Sequence, residues 1–156
     1  MTTRSNKKML WLYGITLVMS LIILIDFIIP GTAFADKEVS ITRNIEKYYN
    51  AGGNSHNTYE VITSQHQFSV SEDFAKLAPN QKIKYSVSLI FKEINRYGLY
   101  ASEKSEIYSF RIASGLILPI IVIMVLIIAY RYRGGISILL SVLQIVLLIN
   151  LILLMQ

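Results

Sequence analysis

Residues 112–130 read IASGLILPIIVIMVLIIAY, a stretch without a single charged side chain, and this stretch decides the class of the chain. About 20 apolar residues rising 1.5 Å each span the roughly 30 Å hydrocarbon layer of a bilayer. Working outward, residues 9–30 (MLWLYGITLVMSLIILIDFIIP) and 136–155 (ISILLSVLQIVLLINLILLM) have the same character, with Asp26 the one charged side chain in either. Backbone N–H and C=O groups find no water in lipid, and three strands cannot close a barrel, so all three stretches are expected as helices. Their apolar residues surround the whole circumference, unlike the one-sided pattern of a helix lying on a membrane surface.

Composition agrees. The 156 residues are 53% hydrophobic and 16% charged, where a soluble domain carries about a quarter charged residues; mean hydropathy is +0.48. The net charge of +5 is not spread as a nucleic-acid surface would require. Arg4, Lys7 and Lys8 precede the first apolar stretch, and Arg131 and Arg133 lie between the second and third, while residues 36–108 balance acids against bases. Lys and Arg concentrated on the segments that three crossings place on one side follow the positive-inside pattern. The expected organisation is a basic cytoplasmic N-terminus (1–8), transmembrane helix 1 (9–30), an extracytoplasmic domain (31–111), transmembrane helix 2 (112–130), a cytoplasmic link (131–135) and transmembrane helix 3 (136–156). Trp11, Tyr13, Tyr130 and Tyr132 fall at the inner interface of this arrangement, and Phe27, Tyr108 and Phe110 at the outer one.

The N-terminus has a competing reading. Lys7-Lys8, an apolar run, Pro30-Gly31 and Ala33-Phe34-Ala35 also form the three regions of a secretory signal peptide cleaved after Ala35. The apolar run exceeds the usual 7 to 15 residues, which favours a retained anchor. Cysteine is absent, excluding disulfides, thiolate nucleophiles and Cys-type metal sites, and no N-x-Ser/Thr sequon marks a glycosylated ectodomain.

Within 31–111, apolar residues alternate with polar ones at Val39 and Ile41, Tyr59 and Val61, Phe68 and Val70, and along residues 82–89, the period of half-buried strands. Residues 50–57 are turn-rich, and residues 64–66 make a shorter turn. Ser71 followed by Glu72 and Asp73 predicts a helix N-cap with acids in the first turn, ended by Ala78-Pro79-Asn80. Ile90, Ile94 and Tyr97 shift toward helical spacing before Gly98, and Leu99-Tyr100 offers a last strand. The expectation is a small antiparallel β domain of four or five strands with one short helix. The whole chain is then an α+β membrane protein with one transmembrane helix before this domain and a helical hairpin after it.

Through Tyr59-Glu60-Val61, Phe68-Ser69-Val70-Ser71 and Lys82-Ile83-Lys84-Tyr85, the layout resembles a broad class of uncharacterised bacterial membrane proteins. These carry a small extracytoplasmic β domain between transmembrane helices. The resemblance implies a fold and no activity, and the third span departs from the simplest version of that class.

Several side chains are candidates for chemistry or recognition. Asp26 sits roughly 6 Å inside one end of the first span at 1.5 Å per residue, and an ionisable residue at membrane depth is by default a functional hypothesis. Arg111 opens the second span at a similar level, so an interfacial Asp26–Arg111 pair stands beside ion or proton handling. On the third span Ser137, Ser141 and Gln144 form one stripe, with Asn150 nearly opposite. Such side chains hydrogen-bond across helix interfaces or back to their own helix, and two polar faces suggest two neighbours, one of them a partner or a second copy. Pro119 removes a helix hydrogen bond and predicts a kink. His56, His66 and Glu60 are too few for an expected metal site, and Gly52-Gly53 lacks the Lys-Ser/Thr and helix of a phosphate loop.

No catalytic residue, cofactor or metal is expected. The function expected is that of a non-enzymatic membrane protein acting by protein–protein interaction, as an accessory subunit of an envelope complex or as a homo-oligomer. A bacterial inner membrane with the β domain in the periplasm suits this reading, with lipid and membrane protein subunits as partners and no nucleic acid. The alternatives are a membrane-anchored immunity or inhibitor protein and a small oligomeric channel or transporter.

Overall fold

The computed structural model describes residues 3–36, 40–47, 55–132 and 137–155. The chain is α+β with antiparallel sheets and divides into two compact units, one formed by residues 31–87 and 94–108 and the other by 1–30, 88–93 and 109–156.

The first unit holds two sheets. One has the order β1 (Thr32–Asp36), β5 (Ile83–Val87), β6 (Ile94–Leu99), β7 (Glu106–Ile107); the other β2 (Ser40–Lys47), β3 (Ser55–Ile62), β4 (Gln67–Val70). The β5 alternation predicts its faces: Ile83, Tyr85 and Val87 are buried, while Lys84 and Ser86 point the other way. The core joins these to Val61 and Phe68 of the second sheet, Phe74 of helix α2 (Glu72–Leu77) and Ala78 at its C-cap, and Ile94 and Tyr97 of β6. It is aromatic: Phe34 stacks on Tyr85 with centroids 5.5 Å apart, and Phe74 meets Tyr97 edge-on at 4.9 Å. Ser71 caps α2, its hydroxyl accepting from the Phe74 N–H at 3.2 Å, and Glu72 and Asp73 occupy the first turn.

Among the described residues the unit has seven strands where four or five are expected. Ala33-Phe34-Ala35, which reads as a cleavage sequence, lies in β1 and pairs with residues 84–86 of β5. Residues 90–97 are not helical; residues 88–93 form a loop and β6 begins at Ile94. Leu99 ends β6 and Tyr100 lies in a turn, so the last strand is β7. Ser55, His56 and Asn57 belong to β3, whereas Val39 and residues 50–54 lie outside the described residues.

The second unit contains three apolar helical segments. Helix α1 (Thr3–Ile28) ends before Pro30. Helix α3 (Ser109–Arg111) continues through a π-helical stretch (Ile112–Ile117) into α4 (Leu118–Tyr132), and α5 (Ser137–Leu154) follows. Their shared core is Ile23, Val122, Leu126, Leu140, Leu147 and Leu154, and Phe91 of the 88–93 loop packs on it. Thr16 and Ser20 donate their hydroxyls to the carbonyls of Leu12 and Thr16, so neither breaks the apolar surface with an unpaired group.

Among the described residues two helical stretches, Leu10–Ile28 and Ser109–Arg131, are long and apolar enough to cross a membrane; Ile138–Leu154 is a shorter apolar helix. Only 22% and 28% of the first two are buried. A soluble protein's core helix hides such side chains, yet here Ile15, Val18, Ile25, Met124 and Ile127 are exposed. Apolar surface this continuous suggests a membrane location.

Pro119 follows a turn that departs from α-helical geometry. In the π stretch the Leu118 N–H bonds the Ala113 carbonyl, one residue further back than in an α-helix. Pro119 has no N–H to continue either pattern.

Candidate functional site

The densest polar cluster of the helical unit surrounds the end of α1 and the start of the π stretch. Arg111 Nη2 donates to Asp26 Oδ2 at 2.9 Å, and neither side chain is exposed. The second carboxylate oxygen, Oδ1, accepts the Ile90 backbone N–H at 2.7 Å. Asp26 is therefore bound from two directions, by a charge and by a loop amide. Burial of such ions is tolerated where each is paired and hydrogen-bonded.

The loop is shaped to present that amide. Ser88 N–H donates to the Glu93 carbonyl at 2.8 Å and Glu93 N–H to Ser88 Oγ at 3.1 Å, closing residues 88–93 on themselves. Lys92 takes φ 61° in this tight loop. Glu93 is half-buried; burial pushes its carboxyl above the usual range, the Arg111 charge pulls it down, and Asp26 adds to the rise.

Phe27 links the pair to the π stretch. Its ring lies 6.0 Å from the Arg111 guanidinium carbon. A Cβ built on Gly115 would stand 2.9 Å from Phe27 Cδ2 and 3.1 Å from Phe27 Cβ, so glycine is what lets α1 approach here.

Asn150 Nδ2 donates to the Ser114 carbonyl at 3.1 Å in a buried setting. The π stretch explains why that carbonyl is available. Its α-helical donor would be the Leu118 N–H, which bonds Ala113 instead, and its π-helical donor would be residue 119, a proline. Asn150 replaces a donor the backbone lacks. The neighbouring Ser114 Oγ is buried with no hydrogen-bond partner among the described residues.

Of the residues singled out from sequence, Asp26 and Arg111 are in direct contact. Gln144 Nε2 donates to Thr16 Oγ1 of α1 at 3.0 Å, and Asn150 reaches the π stretch. Gln144 on one polar face of α5 and Asn150 on the other thus each bond another helical segment of the same chain. Ser141 lies on an exposed part of α5, and Ser137 opens that helix with its side chain outside what is described. Ile90, Phe27, Gly115 and Thr16 carry no sequence signal as site residues; the wide turn before Pro119 is the one hint that a side-chain donor is needed nearby.

In the β unit, Tyr85 OH donates to Asp36 Oδ2 and lies 3.2 Å from both Thr63 Oγ1 and His66 Nδ1. Ser64 Oγ donates to the same carboxylate. His66 therefore faces a tyrosine rather than a metal set; the His56 side chain lies outside the described residues. Among the described residues no three His, Asp or Glu side chains converge as ligands.

Compared with known proteins, the chain matches no family model, no curated protein and no solved structure.

Proposed function

We propose that this chain is a three-span protein of a bacterial inner membrane, with the N-terminus and the 131–135 link in the cytoplasm and residues 31–111 and the C-terminus outside. It acts without catalysis, by binding protein, as an accessory subunit of an envelope complex or as a self-associating unit.

The observation that carries this reading is where the conspicuous polar groups go. Asp26, Gln144, Asn150 and His66 each bond another group of the chain, which is the behaviour of residues that hold a scaffold. A channel built around Asp26 would need that carboxylate facing water, and here it faces Arg111. Because Gln144 and Asn150 of α5 find partners within the chain, recognition shifts to the β unit. There β2 is the outer strand of the β2-β3-β4 sheet and pairs on one side with β3, residue 40 against 62 through 47 against 55. The other side of such a strand offers backbone donors and acceptors to an added strand.

The test is native mass measurement after extraction in mild detergent, with cross-linking in intact membranes beforehand. A stoichiometric partner or a defined oligomer supports the proposal; a monomer with nothing co-purifying overturns it.

A further inference from the structure

The connection between β5 and β6, residues 88–93, reads Ser-Leu-Ile-Phe-Lys-Glu. A turn on a water-facing surface is normally built from polar residues and glycine, yet this one carries three large apolar side chains in a row. Phe91 packs on the core of the helical unit. Leu89 and Ile90 stay outside it, 48% and 54% exposed. Consecutive exposed apolar residues are avoided unless something covers them.

The height of this apolar tip is fixed by α1. The Ile90 N–H donates to Asp26 Oδ1 at 2.7 Å. Asp26 lies about 3 Å of helix rise inside the end of α1 at Ile28. The tip therefore stands level with the last turn of an apolar helix rather than beyond it. Ile25, Ile28 and Ile29 at that end are exposed, as is Phe110, next to the Arg111 that bonds the same carboxylate. The charges at this level are hidden, since neither the Asp26 nor the Arg111 side chain is exposed. Leu89 and Ile90 thus extend the apolar surface of α1 at one height.

The loop backbone also suits a medium without water. The Ser88 N–H donates to the Glu93 carbonyl, the Glu93 N–H to Ser88 Oγ and the Ile90 N–H to Asp26. Irregular backbone at membrane depth is tolerated only where its polar groups are bonded within the protein. Lys92 takes the chain back at φ 61°, and its side chain is exposed. A lysine beside an apolar tip can bury its stem and keep its ammonium at the phosphate level. Apolar groups of such interfacial segments sink roughly 5–10 Å to the boundary between headgroups and acyl chains.

We propose that residues 88–93 form a lipid-dipping loop, with Leu89 and Ile90 inserted among the acyl chains of the outer leaflet beside the end of α1. This rests on the membrane reading of α1 and adds to it a lipid contact from within residues 31–111. Lipid is the occupant because the tip is continuous in height with the exposed apolar end of α1, which lipid already surrounds in that reading.

Spin-label accessibility in the full chain, reconstituted in phosphatidylcholine–phosphatidylglycerol vesicles, tests this from the cysteine-free parent. Leu89→Cys and Ile90→Cys carry the nitroxide, with Ile25→Cys as the reference on α1 and Ser64→Cys as the reference in a turn of the β unit. All four positions are exposed, so the label displaces no packed side chain. Labels at 89 and 90 should collide more with membrane-soluble oxygen than with a water-soluble nickel chelate, as at 25, and the ratio should invert at 64. Nickel-dominated collisions at 89 and 90 with oxygen-dominated collisions at 25 overturn the loop proposal and leave the span standing. Nickel-dominated collisions at 25 as well overturn both. Shielding of 89 and 90 from both agents places a protein partner on the tip, and dipolar broadening between labels places a second copy there; either result overturns the proposal.

Discussion

Asp26 and Arg111, 85 positions apart in sequence, meet at 2.9 Å with neither side chain exposed. Removing one member leaves a buried charge without its counterion, which costs about 3–5 kcal/mol. Asp26→Ala and Arg111→Ala should therefore each destabilise strongly in detergent unfolding experiments. The apolar pair Asp26→Leu with Arg111→Met should recover most of that loss. A double variant no more stable than the weaker single one would show that the pair is not held by this mutual compensation.

Asn150 supplies the donor that Pro119 cannot. Asn150→Leu should destabilise by about 1–2 kcal/mol, the range for hydrogen bonds between helices in membranes. In a Pro119→Ala background, where residue 119 regains its N–H, the same substitution should cost less. Equal cost in both backgrounds would separate the two residues.

Two glycines of the helical unit should respond oppositely to alanine. Gly115→Ala drives a methyl against Phe27, and overpacking of this kind costs about 1–3 kcal/mol. Gly14→Ala meets nothing within 4 Å and should be neutral or stabilising by up to about 1 kcal/mol. Melting temperatures of the two variants in one detergent make the comparison.

Glu93 gives a pH dependence of known sign. Burial raises its carboxyl pKa in the folded state, so the folded protein holds its proton more tightly than the unfolded chain. Stability then falls as pH rises from the ordinary carboxyl value of 4.5 through the raised folded value, and is greatest below that window. Glu93→Gln should abolish this component and be the more stable protein at neutral pH. A parent and variant with parallel stability profiles across pH 4 to 8 would refute it.

Absence of cysteine makes the proposed orientation directly measurable. Ser64→Cys, in the exposed turn between β3 and β4, should react with a membrane-impermeant maleimide on intact spheroplasts, and Arg131→Cys only after permeabilisation. The opposite pattern would invert the topology.

Strand β5 is legible because burial alternates without exception from Ile83 to Val87. Strand β6 is not, because Ile94 and Asn95 are both buried where the register shifts against Ser86 and Val87. That irregularity leaves residues 90, 94 and 97 at a helical spacing they do not use. Strand β1 offers a single large apolar residue, Phe34, too little for a period of two. In the site, the depth of Asp26 and the polarity of Gln144 and Asn150 are visible in the sequence. Their partners are not: the Ile90 amide and the Ser114 carbonyl are backbone groups, which carry no residue signature.

The two core tyrosines hold β4 at both ends. Tyr85 OH meets Thr63 and His66 just before that strand, and Tyr97 OH accepts the Ser71 N–H just after it while donating to Glu106. Each ring belongs to the first sheet and each hydroxyl reaches a residue flanking β4, so that strand cannot slide along the first sheet without breaking both contacts. A fold latched at two points is already ordered before anything docks on it. A partner that recognises the β unit meets a preshaped surface, and the ordering cost that weakens binding by flexible segments is largely absent.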